Sequence, residues 1–534
     1  MNNTSQGNKP NFIIIMTDQQ RADLRKSCGC PLDTMPFLDE WAKGGVDFER
    51  AYTPNPTCMP ARVSMFTGRY SETHQVRTNH NREDVFYTED LLDIMKKNGY
   101  VTALCGKNHT HHEYEEFDFY RKTEHLGLMK DKMSAEEQAF SEFLNQTKFV
   151  DSRYPAPGGV KVQHPYRNIS DALEFIDAVN GKAPFFAWVS IAEPHNPYQV
   201  PGPYFDLFPP EKLPDCTSGK EAEDNQKGER FVRLRKVWEQ VYAPDVKEHM
   251  ERSRSNYFGM LRLIDDQLKR LMEGLQERKL EENTYIIYVS DHGDFAGEYG
   301  LMRKGADLSE LLIRIPMIWR GPGITPRGKE TQAFANIVDI LPTICDIMGE
   351  ELPMGVQGKS LLPVLKQESG YEREFNRAYS ESGFSGMYWE DDDLLDYITE
   401  GATVDMSAFD CLNTWTQCGQ VRGLRMEDYR IQVDMMGKGF LYDLSKDPKE
   451  LHNLWNEKEY SSVKEWMLQE LISAMLQNTD VLPVPHNRYR TKLHPKGYWY
   501  QKYAAKDPGI HPSGTVREIY SSRKHYKEAG NYDK

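Results

Sequence analysis

Asn11-Phe12-Ile13-Ile14-Ile15-Met16 is an apolar run that passes directly into the polar residues Thr17-Asp18-Gln19-Gln20. A short apolar segment with several β-branched residues is typical of a strand that is buried on both faces. Open α/β sheets bind their ligands beyond the carboxyl ends of the strands. The run therefore predicts a buried strand whose last side chains are placed for binding.

Three further segments change from apolar to polar in the same way. They are Tyr100–Leu104 before Gly106-Lys107-Asn108-His109, Phe185–Ile191 before Glu193-Pro194-His195, and Thr284–Val289 before Ser290-Asp291-His292-Gly293. Between them, apolar residues recur at helical spacing over 91–98 and 253–278. Alternating strands and helices predict a core of the α/β class.

The length of the chain predicts more than one domain. A single compact core rarely holds 534 residues. Beyond about residue 370 the strand-like runs become shorter, as at Tyr429–Val433 and Phe440–Leu444. We expect a main domain over 1–370, a smaller one over 371–485 and a basic, aromatic extension over 486–534. The extension either wraps around the domains or lines the site of a polyanionic or sugar ligand.

Charge and composition exclude several classes of protein. The net charge of −15 argues against nonspecific binding to nucleic acid. No apolar run reaches the roughly 20 residues that cross a bilayer, so no membrane partner is expected. The polar start lacks a secretory signal. This indicates a cytoplasmic protein as the sequence stands, or a periplasmic or secreted one if a signal peptide was removed.

The eight cysteines are too few for a dense disulfide framework in a chain of this length. Reduced thiols are the expectation, with Cys411 and Cys418 the pair best placed for a disulfide. A lone buried cysteine is most often structural. Cys58 differs from the others because of the residues that follow it.

Cys58-Met59-Pro60-Ala61-Arg62, which continues to Thr67-Gly68-Arg69, resembles the active-site motif of type I sulfatases. The resemblance implies that a maturation enzyme oxidises Cys58 to Cα-formylglycine, whose hydrated aldehyde attacks sulfur. It also implies that Arg62 holds this group. One helical turn separates the two residues, which places them on the same face of a helix.

Two residue pairs resemble the metal ligands of the same family. Asp18 and Gln19 form the first pair, Asp291 and His292 the second, and residue 58 would be a fifth ligand. Carboxylate and amide oxygens suit calcium, whereas an imidazole suits a transition metal such as manganese. We expect one divalent cation, with Ca²⁺ favoured and Mn²⁺ as the alternative.

Four more residues match positions that handle sulfate in the family: Lys107, His109, His195 and Lys304. The resemblance implies that Lys107 and Lys304 bind the sulfate group. His109 would take a proton from the sulfated diol, and His195 would protonate the leaving oxygen, which a poor leaving group requires.

Other basic residues are open to more than one interpretation. A subsite for a polyanionic sugar could include the basic tail and Arg69, Arg77, His80, Arg82 and Arg303, although each alone reads as an ordinary surface charge. His111 and His112 match no family position. They are expected either at the surface or in contact with substrate.

Family membership implies an alkaline-phosphatase-like fold, with a large mixed sheet sandwiched by helices and a smaller C-terminal antiparallel-sheet subdomain. The function it implies is hydrolysis of a sulfate ester, in a sulfated small molecule or oligosaccharide. A phosphonate monoester or phosphodiester hydrolase of the same superfamily is the alternative. The alternative that is not an enzyme is a binding protein whose catalytic site has decayed.

Overall fold

The computed structural model describes residues 9–123, 125, 132–147, 150–217, 227–305, 308–369, 371, 374–385 and 419–479. The predicted extension over 486–534 and the pair Cys411 and Cys418 lie outside these residues. Among the described residues, no helix combines the length and apolar character needed to span a membrane.

Twelve strands are described and are numbered here in chain order. They are β1 Asn11–Asp18, β2 Val46–Tyr52, β3 Val101–Gly106, β4 Phe119–Lys122, β5 Phe185–Pro194, β6 Thr284–Ser290, β7 Met317–Arg320, β8 Gly328–Asn336, β9 Arg377–Ser382, β10 Val421–Met426, β11 Tyr429–Asp434 and β12 Gly439–Asp443.

The α-helices of the described residues are numbered in the same way. They are α1 Pro36–Trp41, α2 Cys58–Thr67, α3 Ser71–His74, α4 Leu91–Lys97, α5 Ala135–Gln146, α6 His164–Val179, α7 Gly202–Phe205, α8 Glu229–Val241, α9 Val246–Glu277, α10 Glu310–Ile313, α11 Ile340–Met348, α12 Leu362–Leu365 and α13 Ser461–Asn478.

Strand β1 lies inside the large sheet, whose order is β4-β3-β5-β1-β6-β7-β2-β8. It runs parallel to β5 and to β6, whereas β7 is antiparallel to its neighbours β6 and β2. Asp18 pairs with Pro194 of β5, and Thr17 pairs with Ser290 of β6. This register brings the polar ends of three predicted strands to one edge of the sheet.

Both faces of the sheet are covered. On one face Ile13 and Ile15 pack in a cluster with apolar residues of α6 and α9. On the other, Phe12, Ile14 and Met16 pack with residues of α2, α4 and α11. Alternate residues of one strand thus point into two apolar layers, because successive side chains of a strand face opposite sides.

A second, antiparallel sheet of order β12-β11-β10-β9 packs against α13. Ser380 on β9 donates a hydrogen bond to the carbonyl of Thr53, 2.6 Å away. The amide of Glu381 donates to the carbonyl of Pro54 at 2.7 Å. These bonds join the second sheet to the segment that leads into α2. The predicted fold class is confirmed, and the domain limits stay a prediction.

One helix begins earlier than its apolar pattern indicates. Helix α9 starts at Val246, whereas the periodic residues suggest a start at 253. Its first turns carry mostly charged side chains that are not buried, such as Lys247 and Glu251. Hydrophobic periodicity detects a helix only where one face is buried, so it misses such a turn.

Candidate active site

Residue 58 lies in the first turn of a buried helix, beside the edge where the strands end. Cys58 opens α2 and follows the capping position at Thr57, and only 1% of its surface is exposed. The unpaired amide groups of a helix start carry partial positive charge. This charge favours an anionic group at residue 58 and an anion bound next to it.

Opposing charges act on the thiol of Cys58. Burial and the carboxylate of Asp18 oppose its ionisation. The positive charges of Lys107, Lys304 and His292 outweigh them, and the pKa of the thiol falls below its usual value. The surroundings of residue 58 are therefore electropositive even though two buried carboxylates lie nearby.

Four of the five predicted metal ligands offer donor atoms that all lie within 4.8 Å of one another: Asp18, Cys58, Asp291 and His292. The Cys58 sulfur is 3.5 Å from Oδ1 of Asp18 and 3.2 Å from Nε2 of His292. The His292 Nε2 is 3.8 Å from the Oδ1 atoms of both aspartates. A cation at the centre of such a group would contact all four side chains.

The tautomer of His292 fits metal binding. Its Nδ1–H donates to the carbonyl of Gly293 at 2.8 Å. Nε2 therefore faces Cys58 and the two aspartates; although burial opposes it, Asp291 raises the pKa of His292, so Nε2 offers its lone pair once its proton is displaced by a cation. A ligating histidine is usually oriented in this way, by a hydrogen bond from its other ring nitrogen. The donor set of this group suits a divalent cation.

Arg62 holds the two aspartates in place. Its Nη2 donates to Oδ2 of Asp18 at 3.0 Å, and its Nε donates to Oδ2 of Asp291 at 2.9 Å. Its Nη1 donates to Oγ of Ser190 at 2.7 Å. All three partners are fully buried. Arg62 thus binds the Oδ2 atoms of both aspartates, whose Oδ1 atoms lie on the side of His292 Nε2.

Gln19 lies between this group and Lys304. Its backbone has a φ of 69°, and its amide N–H donates to Oδ1 of Asp291 at 3.0 Å. Its side-chain Nε2 donates to Oδ2 of Asp294 at 2.6 Å, while Oε1 accepts from Nζ of Lys304 at 3.0 Å. Asp294 thus orients Gln19, a role that our reading of the sequence missed although Asp294 closely follows His292.

Lys107 and His109 follow β3, as predicted. The Lys107 ammonium forms a buried ion pair with Asp18. His109 has a φ of 50°, and its Nδ1 has no hydrogen-bond partner among the described residues. Burial, Lys107 and Arg62 hold the pKa of His109 well below its usual value. His109 is therefore neutral near pH 7 and able to accept a proton.

His195 and Lys304 complete the predicted set. The His195 Nδ1–H donates to the carbonyl of Asn196 at 2.6 Å, which leaves Nε2 without that proton. Nζ of Lys304 lies 3.4 Å from this Nε2. Burial, His125 and Lys304 hold the pKa of His195 well below its usual value. A negative charge bound beside Lys304 would reverse part of that effect.

His125 contacts two residues of the candidate site, and the sequence alone did not indicate it. Its ring stacks on His195 with centroids 3.9 Å apart and an interplanar angle of 23°. Its Nε2 accepts from Nζ of Lys107 at 2.7 Å, since an ammonium group can only donate. No motif surrounds residue 125, and only the fold brings it to this place.

Four residues for which the sequence allowed a surface position have buried side chains. His111 and His112 bind Asp90 through their Nε2 atoms, at 2.8 and 2.6 Å. Arg69 is 1% exposed and donates to the carbonyl of Met354. Arg303, also 1% exposed, lies over the Trp238 ring. The expectation of a surface charge is wrong for Arg69 and Arg303, and the surface alternative is wrong for His111 and His112, because the polar groups of all four have partners inside the protein.

The sequence and the fold are similar to those of known proteins. The sequence model of the sulfatase family, described as "Sulfatase", matches residues 10–350. An arylsulfatase of Clostridium perfringens is 27% identical over 88% of this chain and 94% of its own length.

Two solved structures share the fold. A phosphonate monoester hydrolase from Silicibacter pomeroyi superposes with a TM-score of 0.71 and 21% identity, over 88% of this chain and 96% of the other. A protein solved with its substrate D-glucosamine-2-N,6-O-disulfate gives a TM-score of 0.65 and 21% identity, over 88% of this chain and 98% of the other. At these identities the likeness concerns the fold alone.

Proposed function

The chain belongs to the sulfatase family and is a sulfuric ester hydrolase, and on this premise we propose that it cleaves a sulfate ester of a carbohydrate at residue 58. One observation carries the proposal. Cys58 stands at a helix start within 3.5 Å of Asp18 and 3.2 Å of His292, in a pocket that two lysines make electropositive.

We infer that residue 58 acts after oxidation to Cα-formylglycine by a maturation enzyme, since an aldehyde hydrate supplies a nucleophilic hydroxyl that no unmodified side chain offers. Pairing of Asp18 and Asp291 with Arg62 keeps the neighbouring charges balanced at this position. The helix start of α2 and the lysines provide positive potential for the sulfate group.

A divalent cation is part of the proposal. Asp18, Gln19, Asp291 and His292 would hold it together with residue 58, and Ca²⁺ is favoured because most of the donors are oxygens. When bound, the ion supplies charge neutralisation and lowers the pKa of a hydroxyl group next to it. Gln19 would offer Oε1, which accepts a hydrogen bond from Lys304 while Asp294 accepts from the amide nitrogen of the same side chain.

The two lysines are proposed to bind the sulfate oxygens. Lys107 directly follows β3, Lys304 lies in the loop between β6 and α10, and both side chains are buried. Their present partners are Asp18 and Gln19, so the substrate adds negative charge where positive charge already collects. His125 holds Lys107 from its other side.

His195 is proposed to give a proton to the leaving oxygen from Nε2. In the free protein the ring is neutral, because burial, His125 and Lys304 depress its pKa. A bound sulfate partly cancels the charge of Lys304, raises the pKa of His195 and permits protonation of Nε2. His109 is the partner in the second half of the reaction, where a proton must be removed.

Replacing His195 tests the acid role. His195→Ala should reduce hydrolysis of a sugar sulfate on the order of 10²–10⁴-fold more than hydrolysis of nitrophenyl sulfate, whose phenolate leaves without a proton. His109→Ala should slow both substrates alike. Steady-state rates on the two esters provide the measurement, and equal losses for His195→Ala would leave it as a sulfate-binding residue only.

Replacing His125 tests the stacked residue. His125→Ala removes one of the two acceptors of Lys107 and the ring that stacks on His195. The kcat/KM for a sulfate ester should therefore fall about tenfold or more, the value of one hydrogen bond to a charged group. His125→Asn keeps an acceptor and should retain more activity. An unchanged kcat/KM in His125→Ala would show that the contact has no part in the reaction.

A carbohydrate substrate is proposed because a protein of the same fold was solved with its substrate D-glucosamine-2-N,6-O-disulfate and because the sequence over 486–534 is basic. Rates of the mature enzyme on sulfated disaccharides, aryl sulfates and choline sulfate identify the class. Hydrolysis of the aryl or choline ester alone would contradict a carbohydrate substrate.

A further inference from the structure

A second group of metal-binding side chains lies outside the active site. Asp90, His111 and His112 offer three donor atoms within 4.8 Å of one another. The Nε2 atoms of His111 and His112 lie 2.8 and 2.6 Å from the same atom, Oδ2 of Asp90. Nothing in the proposed reaction uses these three residues.

Asp90 and His112 are each oriented by a contact of their other polar atom, whereas Nδ1 of His111 has no hydrogen-bond partner among the described residues. Oδ1 of Asp90 accepts from the amide of Asp93 at 3.0 Å, which leaves Oδ2 for the histidines. Nδ1 of His112 lies 3.4 Å from Oε2 of Glu116. A carboxylate behind a histidine is the usual outer partner of a metal ligand, and it fixes which nitrogen faces the metal.

The side chains of this group are buried and are surrounded by aromatic rings. The side chains of His111 and His112 are 2% and 1% exposed, and that of Asp90 is fully buried. The ring of Phe66 stands edge-on to both imidazoles, and Tyr87 lies 4.8 Å from His111. A buried carboxylate with two imidazoles requires a compensating positive charge.

We propose that Asp90, His111 and His112 bind one zinc ion. Two imidazole nitrogens and one carboxylate oxygen form a ligand set that zinc accepts and that calcium and magnesium do not prefer. The ion supplies the compensating charge while both imidazoles remain neutral. Without it His112 carries that charge, because Asp90 raises the pKa of its ring to about 9 against the effect of burial.

The zinc ion would brace the loop that carries two active-site residues. His111 and His112 follow Lys107 and His109 closely in sequence. Nδ2 of Asn108 donates to the carbonyl of His112 at 2.6 Å, and the hydroxyl of Tyr114 donates to the carbonyl of Gly106 at 3.1 Å. Fixing the two histidines to Asp90 therefore fixes the end of this loop against α4.

Zinc titration of the calcium-loaded protein tests the proposal. The full chain is saturated with Ca²⁺, titrated with Zn²⁺ in a calorimeter and analysed for both elements after dialysis. We expect one bound zinc per chain with the calcium retained. His111→Gln and Asp90→Asn should weaken zinc binding more than 100-fold, and Glu116→Gln should weaken it about 10–100-fold, as outer partners do.

Two variants serve as controls. His249→Gln changes a part-buried histidine that lies 3.3 Å from Asp151, away from this cluster, and should bind zinc as the unchanged chain does. Asp291→Asn alters the active-site ligands and should also keep its zinc, so this test is separate from that of the proposed function. Circular dichroism checks that each variant is folded.

Two results would overturn the proposal. The first is that the calcium-loaded chain binds no zinc below micromolar concentrations, in which case the cluster is held by hydrogen bonds and a proton alone. The second is that folded His111→Gln binds zinc as tightly as the unchanged chain, which would place the ion elsewhere.

Discussion

Cys58→Ala is expected to abolish turnover of every sulfate ester while the protein stays folded. An alanine cannot be converted to an aldehyde hydrate, so the variant lacks the nucleophile on which covalent catalysis depends. Residual activity should be below about 1% of the unchanged enzyme, a limit set by the usual size of covalent catalysis. Steady-state sulfate release measures it directly.

A matched control separates chemistry from folding. Cys345 is a fully buried cysteine on α11, packed in an apolar cluster. Cys345→Ala should cost some stability and leave the rate per folded molecule unchanged, because the thiol has no active-site partner there. Cys58→Ser should be inactive unless the host can oxidise serine. Activity above the stated limit in Cys58→Ala would contradict the proposed nucleophile.

The modification itself has a signature in mass. Replacing a thiol by an aldehyde lowers the mass of the chain by about 18 Da. The loss should map to the peptide that contains Cys58 and should be absent when the maturation enzyme is missing. An active preparation in which Cys58 carries its full mass would refute the formylglycine assignment, while leaving the sulfatase family intact.

Loss of the divalent cation is the second large effect expected. Asp291→Asn should lower kcat by about three orders of magnitude or more, because a bound metal supplies several kcal/mol of charge stabilisation and each 1.36 kcal/mol is a factor of ten. The neutral amide would also leave Arg62 with one fewer buried anion. Rates with saturating calcium or manganese provide the measurement.

Chelation and re-addition give the control for that experiment. The unchanged enzyme should lose activity in a chelator and recover it when metal is restored, whereas Asp291→Asn should not recover. Asp177→Asn alters an aspartate that is mostly exposed and paired with Arg278, and it should keep normal activity. Elemental analysis of active protein that shows no divalent metal would end the metal proposal.

The sequence predicted the strand framework because its signal is local. The apolar run over 11–16 alternates between two packed layers, and its neighbours on the sheet end in polar residues at the same edge. An apolar run followed by polar residues therefore predicts a buried strand with a polar end, even when the fold is not known. The four-residue spacing of Cys58 and Arg62 in the family motif then predicted that both lie on one face of a helix.

Other residues of the site could not be predicted, because their roles depend on distant contacts. The path of the chain after β4 brings His125 into contact with Lys107 and His195. The residues next to it in sequence form no motif that would predict these contacts. Burial of His111 and His112 depends on Asp90, which lies before α4. A histidine pair in a polar loop looks like a surface feature until its carboxylate partner is located.

The most direct test of the proposed sulfatase activity compares a sulfate and a phosphonate that share the same leaving group. Mature enzyme with restored metal is assayed on nitrophenyl sulfate and on a nitrophenyl phosphonate monoester, and kcat/KM is determined for each. If the enzyme is a sulfatase that acts through residue 58, kcat/KM is larger for the sulfate, and that activity is lost in Cys58→Ala. A larger kcat/KM for the phosphonate would contradict it and assign the site to the alternative hydrolase.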